Sequence, residues 1–468
     1  MTPECRAALQ ELSDRTAHDE HVASISWGVI AGGALAEHGH TGVLGGGGDG
    51  LPADEVAVYR IASMTKSFTA AAVLALRDEG VWQLDDPVAR HAPELATVAG
   101  PAGAPPLTLR HLLSMTAGMA TDDAWADRHL DIAPEEIDRI YAAGPTFAHM
   151  PNTAYEYSNL GYGMIGRAVQ RATGTRVQQH ITERFLHPLG MHDTTWVRPE
   201  HDHWARPHRW RDGELIRDWP TPLGDGEIAP MGGLWTTVAD LAHWVVWLDS
   251  ANSTPDQPGA IGLSAASRRE MQRIHTYIGL TALAGRTCPA GYGFGLNLRD
   301  DPALGTVVSH SGGLPGYGSN MRWIAGRGVG AIALGNSTYA PMSTMTMQML
   351  DVLHEHGVVP PAAAPEAPRW AAAAHRLVAL LNGWTDADAQ ELFDVNVALD
   401  EPLDRRRAEA QRLIEQHGPL TVVELRPWAA TGGNVLVQGS GPAFTIGVEL
   451  SPFPGGPVQF YEIDEPTT

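Results

Sequence analysis

Between residues 24 and 336 the chain changes its hydrophobic periodicity twice, and that order restricts the folds open to it. "SISWGVI" (24–30) and "ALAEHGHTGV" (34–43) are β-rich runs around Ala31-Gly32-Gly33, a hairpin signal. From Ser63 the pattern turns helical, with Phe68, Ala71, Ala72, Ala75 and Leu76 on one face and Gly80 as a stop. Further helices are predicted at 107–115, 160–172, 177–185 and 237–248, the last opened by Thr237 and Asp240 as a capping box with Asp in the place of Glu. The chain then returns to β with "YGFGLNL" (292–298), "TVVSHSGG" (306–313), "SNMRWIAG" (319–326) and "GVGAIALGN" (328–336). Strands, then helices, then strands predict an α+β core. Its antiparallel sheet combines the first and last strands, with a helical region beside it.

"PPAAAPEAP" (360–368) reads as a linker. It divides a domain over 1–359 from a small α+β domain over 369–468. In the latter, helical patterns at 369–382 and 403–416 precede four β-like runs: 420–427, 434–440, 443–450 and 458–463. "DRRRAEAQR" (404–412) has the acid–base spacing of a solvated helix face. "GGGGDG" (45–50) does not follow a strand and open a helix as a phosphate loop would, so it reads as a flexible loop.

Charge narrows the partners. A net charge of −22 argues against nucleic acid and anionic membranes, both of which call for basic patches. Cys5 and Cys288 are too few for a disulfide framework or a cysteine zinc site. The polar start "MTPECRAALQELSDRTAHDEH" has no basic-then-apolar leader pattern, so the expected compartment is the cytoplasm. The expected partner is a small-molecule or peptide substrate; the oligomeric state is left open.

Lys66 is the only lysine; the other 31 of the 32 basic residues are arginines. As a surface cation Arg serves as well, but only Lys gives up its proton under protein conditions. Lys66 stands three residues after Ser63, one helical turn along the same face. A serine at a helix start has free N–H groups around it that stabilise a developing anion. Its hydroxyl becomes nucleophilic when a neighbouring base takes its proton, and a desolvated lysine can do so. Tyr157 and Asn159 in "NTAYEYSNLGYGMIG" offer a phenol for proton transfer and an amide able to bind both lysine and substrate. "HSGGLPGYGSN" begins at His310 after a β run. Its imidazole is expected to change charge near neutral pH and to bind a carboxylate or relay protons.

S-x-x-K at a helix start, Tyr-x-Asn before another helix and His-x-Gly on a late strand together resemble the three motifs of the serine β-lactamase and penicillin-binding-protein superfamily. The branch most like this chain holds class C β-lactamases, D-aminopeptidases and esterases. "LTLRHLLSMTAGM", "PLGMHDTTW" and "GGLWTTVADLAHW" share the likeness, which runs from about Trp27 to Ser337. The resemblance implies a β-lactamase-like antiparallel sheet flanked by helices with an adjoining helical subdomain. It implies a metal-independent enzyme without cofactor, acting on small esters or D-residue peptides. Acyl transfer, thioesterase-like peptide cyclisation and β-lactam hydrolysis remain alternatives, and a non-catalytic binder is a further one.

In that reading Ser63 is the acylated nucleophile, Lys66 and Tyr157 move protons, and Asn159 orients Lys66 and the substrate amide. The N–H groups of Ser63 and Gly313 form the oxyanion hole, and Gly312 lies beside the substrate. His310 stands where β-lactamases carry the Lys of Lys-Thr-Gly, which removes a fixed cation for a β-lactam carboxylate. In "HDHWARPHRW", His201, His203 and His208 lack further ligands for a metal site. The stretch is expected to form a pocket wall with Trp204 and Trp210 exposed to substrate. An Asp212-Gly213 hairpin follows it.

Overall fold

The computed structural model describes residues 1–45, 50–217, 224–252, 261–361 and 365–465. Most of the 45–50 glycine run and the middle of the 360–368 linker therefore lie outside the described residues. The chain forms two compact units, Met1–Pro360 and Pro361–Thr468.

Among the described residues of the first unit, twelve strands follow one another: β1 Ser24–Ala31, β2 Ala34–Gly42, β3 Tyr59–Arg60, β4 His208–Arg211, β5 Glu214–Arg217, β6 Trp235–Thr236, β7 Thr276–Leu283, β8 Arg286–Tyr292, β9 Asn297–Asp301, β10 Gly305–Leu314, β11 Tyr317–Ile324 and β12 Val329–Gly335. Eight of them make one antiparallel sheet in the order β2-β1-β12-β11-β10-β9-β8-β7. The first hairpin thus pairs with the last strand, with Trp27 opposite Ala333. β1 and β12 are buried along almost their whole length, because both faces of the sheet are covered. On one face pack the helices Pro3–Asp19 and Met342–Glu355, around Leu9, Trp27, Met345 and Leu350. On the other lies the large core, with Phe68, Trp244 and Trp323.

The helix Thr65–Asp78 is buried at every position from Thr65 to Leu76. A helix buried all round, polar Thr65, Lys66, Ser67 and Thr69 included, belongs at the centre of a large core. It does not begin at Ser63: residues Ala62–Met64 form a tight 3-10 turn first. The predicted helices appear as Leu109–Leu113, Asn159–Thr173, Val177–Ile181 continued by a wider π turn over Thr182–Leu186, and Val238–Ser250. The last has only half of the predicted capping box. Thr237 accepts from the N–H of Asp240, while the Asp240 carboxylate turns away to the N–H of Asp193 and the hydroxyl of Thr194.

"YGFGLNL" is not one strand. β8 stops at Tyr292 and β9 starts at Asn297, with a turn between closed by the Gly293 N–H on the Leu296 carbonyl. Gly295 in that turn has φ +70, and a Cβ there would stand 2.6 Å from the Lys66 carbonyl oxygen. The apolar run is a buried turn pressed against the central helix, where only glycine fits.

The second unit places four helices before a four-stranded antiparallel meander. The strands Thr421–Ala429, Gly432–Gln438, Phe444–Leu450 and Val458–Asp464 are covered on one face by the helix Pro368–Asn382. Trp370 is fully buried there and donates to the Val448 carbonyl (2.9 Å). Among the described residues of the whole chain, no helix is long and apolar enough to cross a membrane.

Candidate active site

Ser63 is held by its backbone neighbours. β3 pairs with β6, and the Ile61 N–H donates to the Leu234 carbonyl (3.1 Å). On the other side the Ile61 carbonyl accepts from the Ser319 hydroxyl (3.0 Å). A Cβ on Gly312 would stand 2.1 Å from that same carbonyl oxygen, so the glycine lets β10 lie directly on the serine turn. Ala62, immediately before Ser63, has φ +47. A left-handed alanine is a strained residue held in place by its surroundings, a feature that clusters at functional sites. From Ile61 to Ala70, Ser63 alone is not buried.

Lys66 has no exposed surface. Its Nζ lies 2.9 Å from Ser63 Oγ, 2.7 Å from Asn159 Oδ1 and 2.8 Å from the Met231 carbonyl. Nζ also stands 4.8 Å from the centre of the Tyr157 ring and 5.5 Å from that of Tyr162. Burial pushes the ammonium down to about 7, against the opposing pull of Asp123, Asp122 and Asp127. The only lysine of the chain therefore exchanges its proton near neutral pH. Burial holds the Tyr157 phenol well above its ordinary value, against the lowering effect of its hydrogen bond to Ser63. Tyr157 is therefore a protonated donor wherever Lys66 titrates.

Asn159 is oriented from behind. It opens the helix Asn159–Thr173, whose N-cap hydroxyl, Ser158, accepts from the N–H of Gly161. Asp122 accepts the N–H groups of Asn159 and Leu160 at 2.7 Å each, and the Asn159 side-chain amide donates to Asp122 (3.1 Å) and Asp123 (2.7 Å). With its NH2 group bound to carboxylates, the Asn159 oxygen is the end left to face Lys66. Motif spacing does not point to Asp122, Asp123 or the Met231 carbonyl. The acidic pair ahead of Tyr157 in the sequence is the signal that marks the first two.

His310 departs from expectation. It is 2% exposed, its ring centre is 6.5 Å from that of Tyr157, and both its nitrogens are engaged. Nδ1 lies 2.7 Å from the Ser311 carbonyl, which only accepts, so Nδ1 carries the hydrogen. Nε2 is then the acceptor for the Tyr292 hydroxyl at 3.1 Å. Burial, together with the Lys66 charge, pushes the imidazole down to about 3. It stays neutral across the working range and does not switch near neutral pH. Gly313 follows on β10, opposite Gly318 of β11.

The remaining tryptophans stand elsewhere. Trp204 is 9% exposed, set edge-on to Trp235 and stacked under the Arg206 guanidinium at 3.7 Å, not open to a ligand. Trp210, on the β4–β5 hairpin, is exposed and stacks on His21 at 3.7 Å. The predicted Asp212-Gly213 turn joins those two strands. His203 meets Asp54 (3.1 Å), and His208 contacts the carbonyls of Arg206 and Gly45, so these histidines do not converge.

The chain is similar to several known proteins in sequence and fold. The beta-lactamase family model matches residues 6–354. The chain is 28% identical over 351 residues to esterase EstB of Burkholderia gladioli, covering 65% of this chain and 84% of the esterase. The fold resembles that of an octameric penicillin-binding protein homologue from Pyrococcus abyssi (TM-score 0.64, 21% identity, 96% of this chain and 91% of that one). It also resembles a D-stereospecific amidohydrolase from Streptomyces sp. (TM-score 0.55, 22% identity, 73% and 97%). The three-motif cluster, the mixed fold and the match along three quarters of the sequence lead to one statement: this chain belongs to the β-lactamase family of hydrolases.

Proposed function

We propose that the protein is a serine hydrolase that passes through a Ser63 acyl-enzyme on small esters or amides of D-residues. The observation that carries this reading is Lys66: the only lysine, without exposed surface, 2.9 Å from Ser63 Oγ and brought down to about 7 by burial. Neutral Lys66 takes the Ser63 proton as Oγ attacks the carbonyl carbon. The N–H groups of Ser63 and Gly313 hold the oxyanion. Tyr157, bonded to Ser63 and kept protonated by burial, donates to the departing alcohol or amine. Lys66 then returns its proton to the Tyr157 phenolate; water attacks the acyl-enzyme as neutral Lys66 takes its proton, and Lys66 passes that proton to Ser63 Oγ as the acid departs. The esterase and D-amidohydrolase likenesses support the substrate class. So does His310: with both nitrogens engaged and the ring neutral, it offers no cation to a β-lactam carboxylate.

The test is intact-mass measurement after a fluorophosphonate probe, with EDTA present. Wild type gains one adduct, mapped to Ser63, and Ser63→Ala gains none while its melting curve is kept. The same preparations are assayed with p-nitrophenyl acetate and nitrocefin. The ester is the better substrate; a tenfold preference for nitrocefin, about 1.4 kcal/mol of transition-state preference, overturns the substrate class.

A further inference from the structure

Tyr339 lies between β12 and the helix Met342–Glu355, and three observations set it apart. Its φ is +52, a left-handed conformation that a bulky residue adopts only when held there. Its ring lies on Gly313: a Cβ on that glycine would stand 2.6 Å from Tyr339 Cδ1. Its hydroxyl donates to Asp127 Oδ2 at 2.8 Å. Asp127 is 4% exposed and follows the short helix Asp123–Ala126, whose neighbour Asp122 holds Asn159. Tyr339 itself is 47% exposed, so its contacts and not enclosure keep it in position. The ring therefore crosses from the sheet, where its own N–H donates to the Tyr317 carbonyl (3.1 Å), to the helical segment, passing over Gly313, which follows the Gly312 that lies on the Ile61 carbonyl.

We propose that Tyr339, tied to Asp127, is a strap across the end of the cleft at Gly313 and sets the size of acyl group the site accepts. The proposal rests on the reading of Ser63 as nucleophile and Gly313 as oxyanion donor. Tyr157 serves the leaving group, so the acyl chain is the part of the substrate left to lie along Gly313, where the tyrosine ring occupies the space. The class that fits is a short acyl group. The strained backbone and the hydroxyl's hydrogen bonds to Asp127 and Arg128 hold the strap, and removing either support releases it.

The experiment compares p-nitrophenyl acetate and p-nitrophenyl octanoate, which share a leaving group, on wild type, Tyr339→Gly and Tyr339→Phe. Wild type favours acetate. Tyr339→Gly, which removes the ring and relieves the φ, raises the octanoate-to-acetate ratio of kcat/KM about tenfold or more, mainly through KM. Tyr339→Phe keeps the ring and fold but loses the bond to Asp127, and shifts the ratio the same way by roughly threefold. Ratios within twofold of wild type in both variants, with Ser63 still labelled by the fluorophosphonate, overturn the strap and leave the nucleophile standing. Absence of both labelling and ester turnover in wild type overturns the underlying reading, and the strap with it.

Discussion

Lys66 shows how one side chain acquires a role from its surroundings. The same ammonium on a surface helix keeps its proton to about 10.4. Here burial outweighs three nearby carboxylates and brings it to about 7. The sign follows for a group that acts when neutral: activity rises with pH through that value and is lost below it. We expect kcat/KM for p-nitrophenyl acetate to be half-maximal near pH 7 and to fall about tenfold per unit below, with no inflection from His310, which stays neutral. A profile flat from about pH 5 to 8 would remove Lys66 from proton transfer. Lys66→Arg keeps a cation but cannot release its proton, so activity should drop about a thousandfold or more, as for triad-type knockouts. Ser63, Lys66, Tyr157 and Asn159 were legible in the sequence because their chemistry is local and their spacing fixed. The state of His310 was not, because Tyr292 and the Ser311 carbonyl that fix its tautomer are contacts of the folded sheet.

At the scale of elements, Asp122 links helix stability to site geometry. One carboxylate satisfies two first-turn N–H groups of the helix Asn159–Thr173 and steadies the Asn159 amide. Asp122→Ala frees those donors. It should destabilise the fold by about 1–2 kcal/mol, the scale of a lost N-cap. It should also lower kcat by about tenfold, with a smaller effect on KM, because Asn159 loses its orientation and not its chemistry. Asp122→Asn retains one acceptor oxygen and should fall between. Unchanged kcat in the alanine variant, with the melting loss present, would confine Asp122 to the helix. Elements were legible where period and caps agreed, as at Val238–Ser250 with Thr237. They failed where a pattern misleads. No element is expected from the sequence at 342–355, yet Met342, Met345, Thr346, Met347, Met349, Leu350 and Leu353 are buried on one helix that packs on the sheet. β8 carries Pro289, a residue that argues against an interior strand; it pairs with Leu280 of β7 alone, and the ladder to β9 starts one residue later at Ala290. The Gly293–Leu296 turn looked like a strand because it is buried against the central helix.

For the molecule as a whole, the cores decide what can stand alone. The sheet of the first unit is buried on both faces, by Trp27 and Met345 on one side and Phe68 and Trp244 on the other, all within Met1–Pro360. The second unit closes its own core around Trp370, Leu377, Val435 and Ile446. Ser63, Lys66, and the Asn159 and Met231 groups that bind Lys66, belong to the first unit. Burial of this extent in one contiguous core is what an independent domain needs. We therefore predict that residues 1–360, expressed without the rest, melt cooperatively. Ser63 should be labelled by a fluorophosphonate at a rate within roughly threefold of the full chain, as expected where two units fold independently. The complementary stretch, 361–468, should fold with a separate transition and take no label. If the shortened chain folds but turns over p-nitrophenyl octanoate and acetate in a ratio changed by tenfold or more, the second unit contributes to substrate selection. If it fails to fold, the two cores are coupled in stability and the unit boundary at Pro360 is a feature of shape alone.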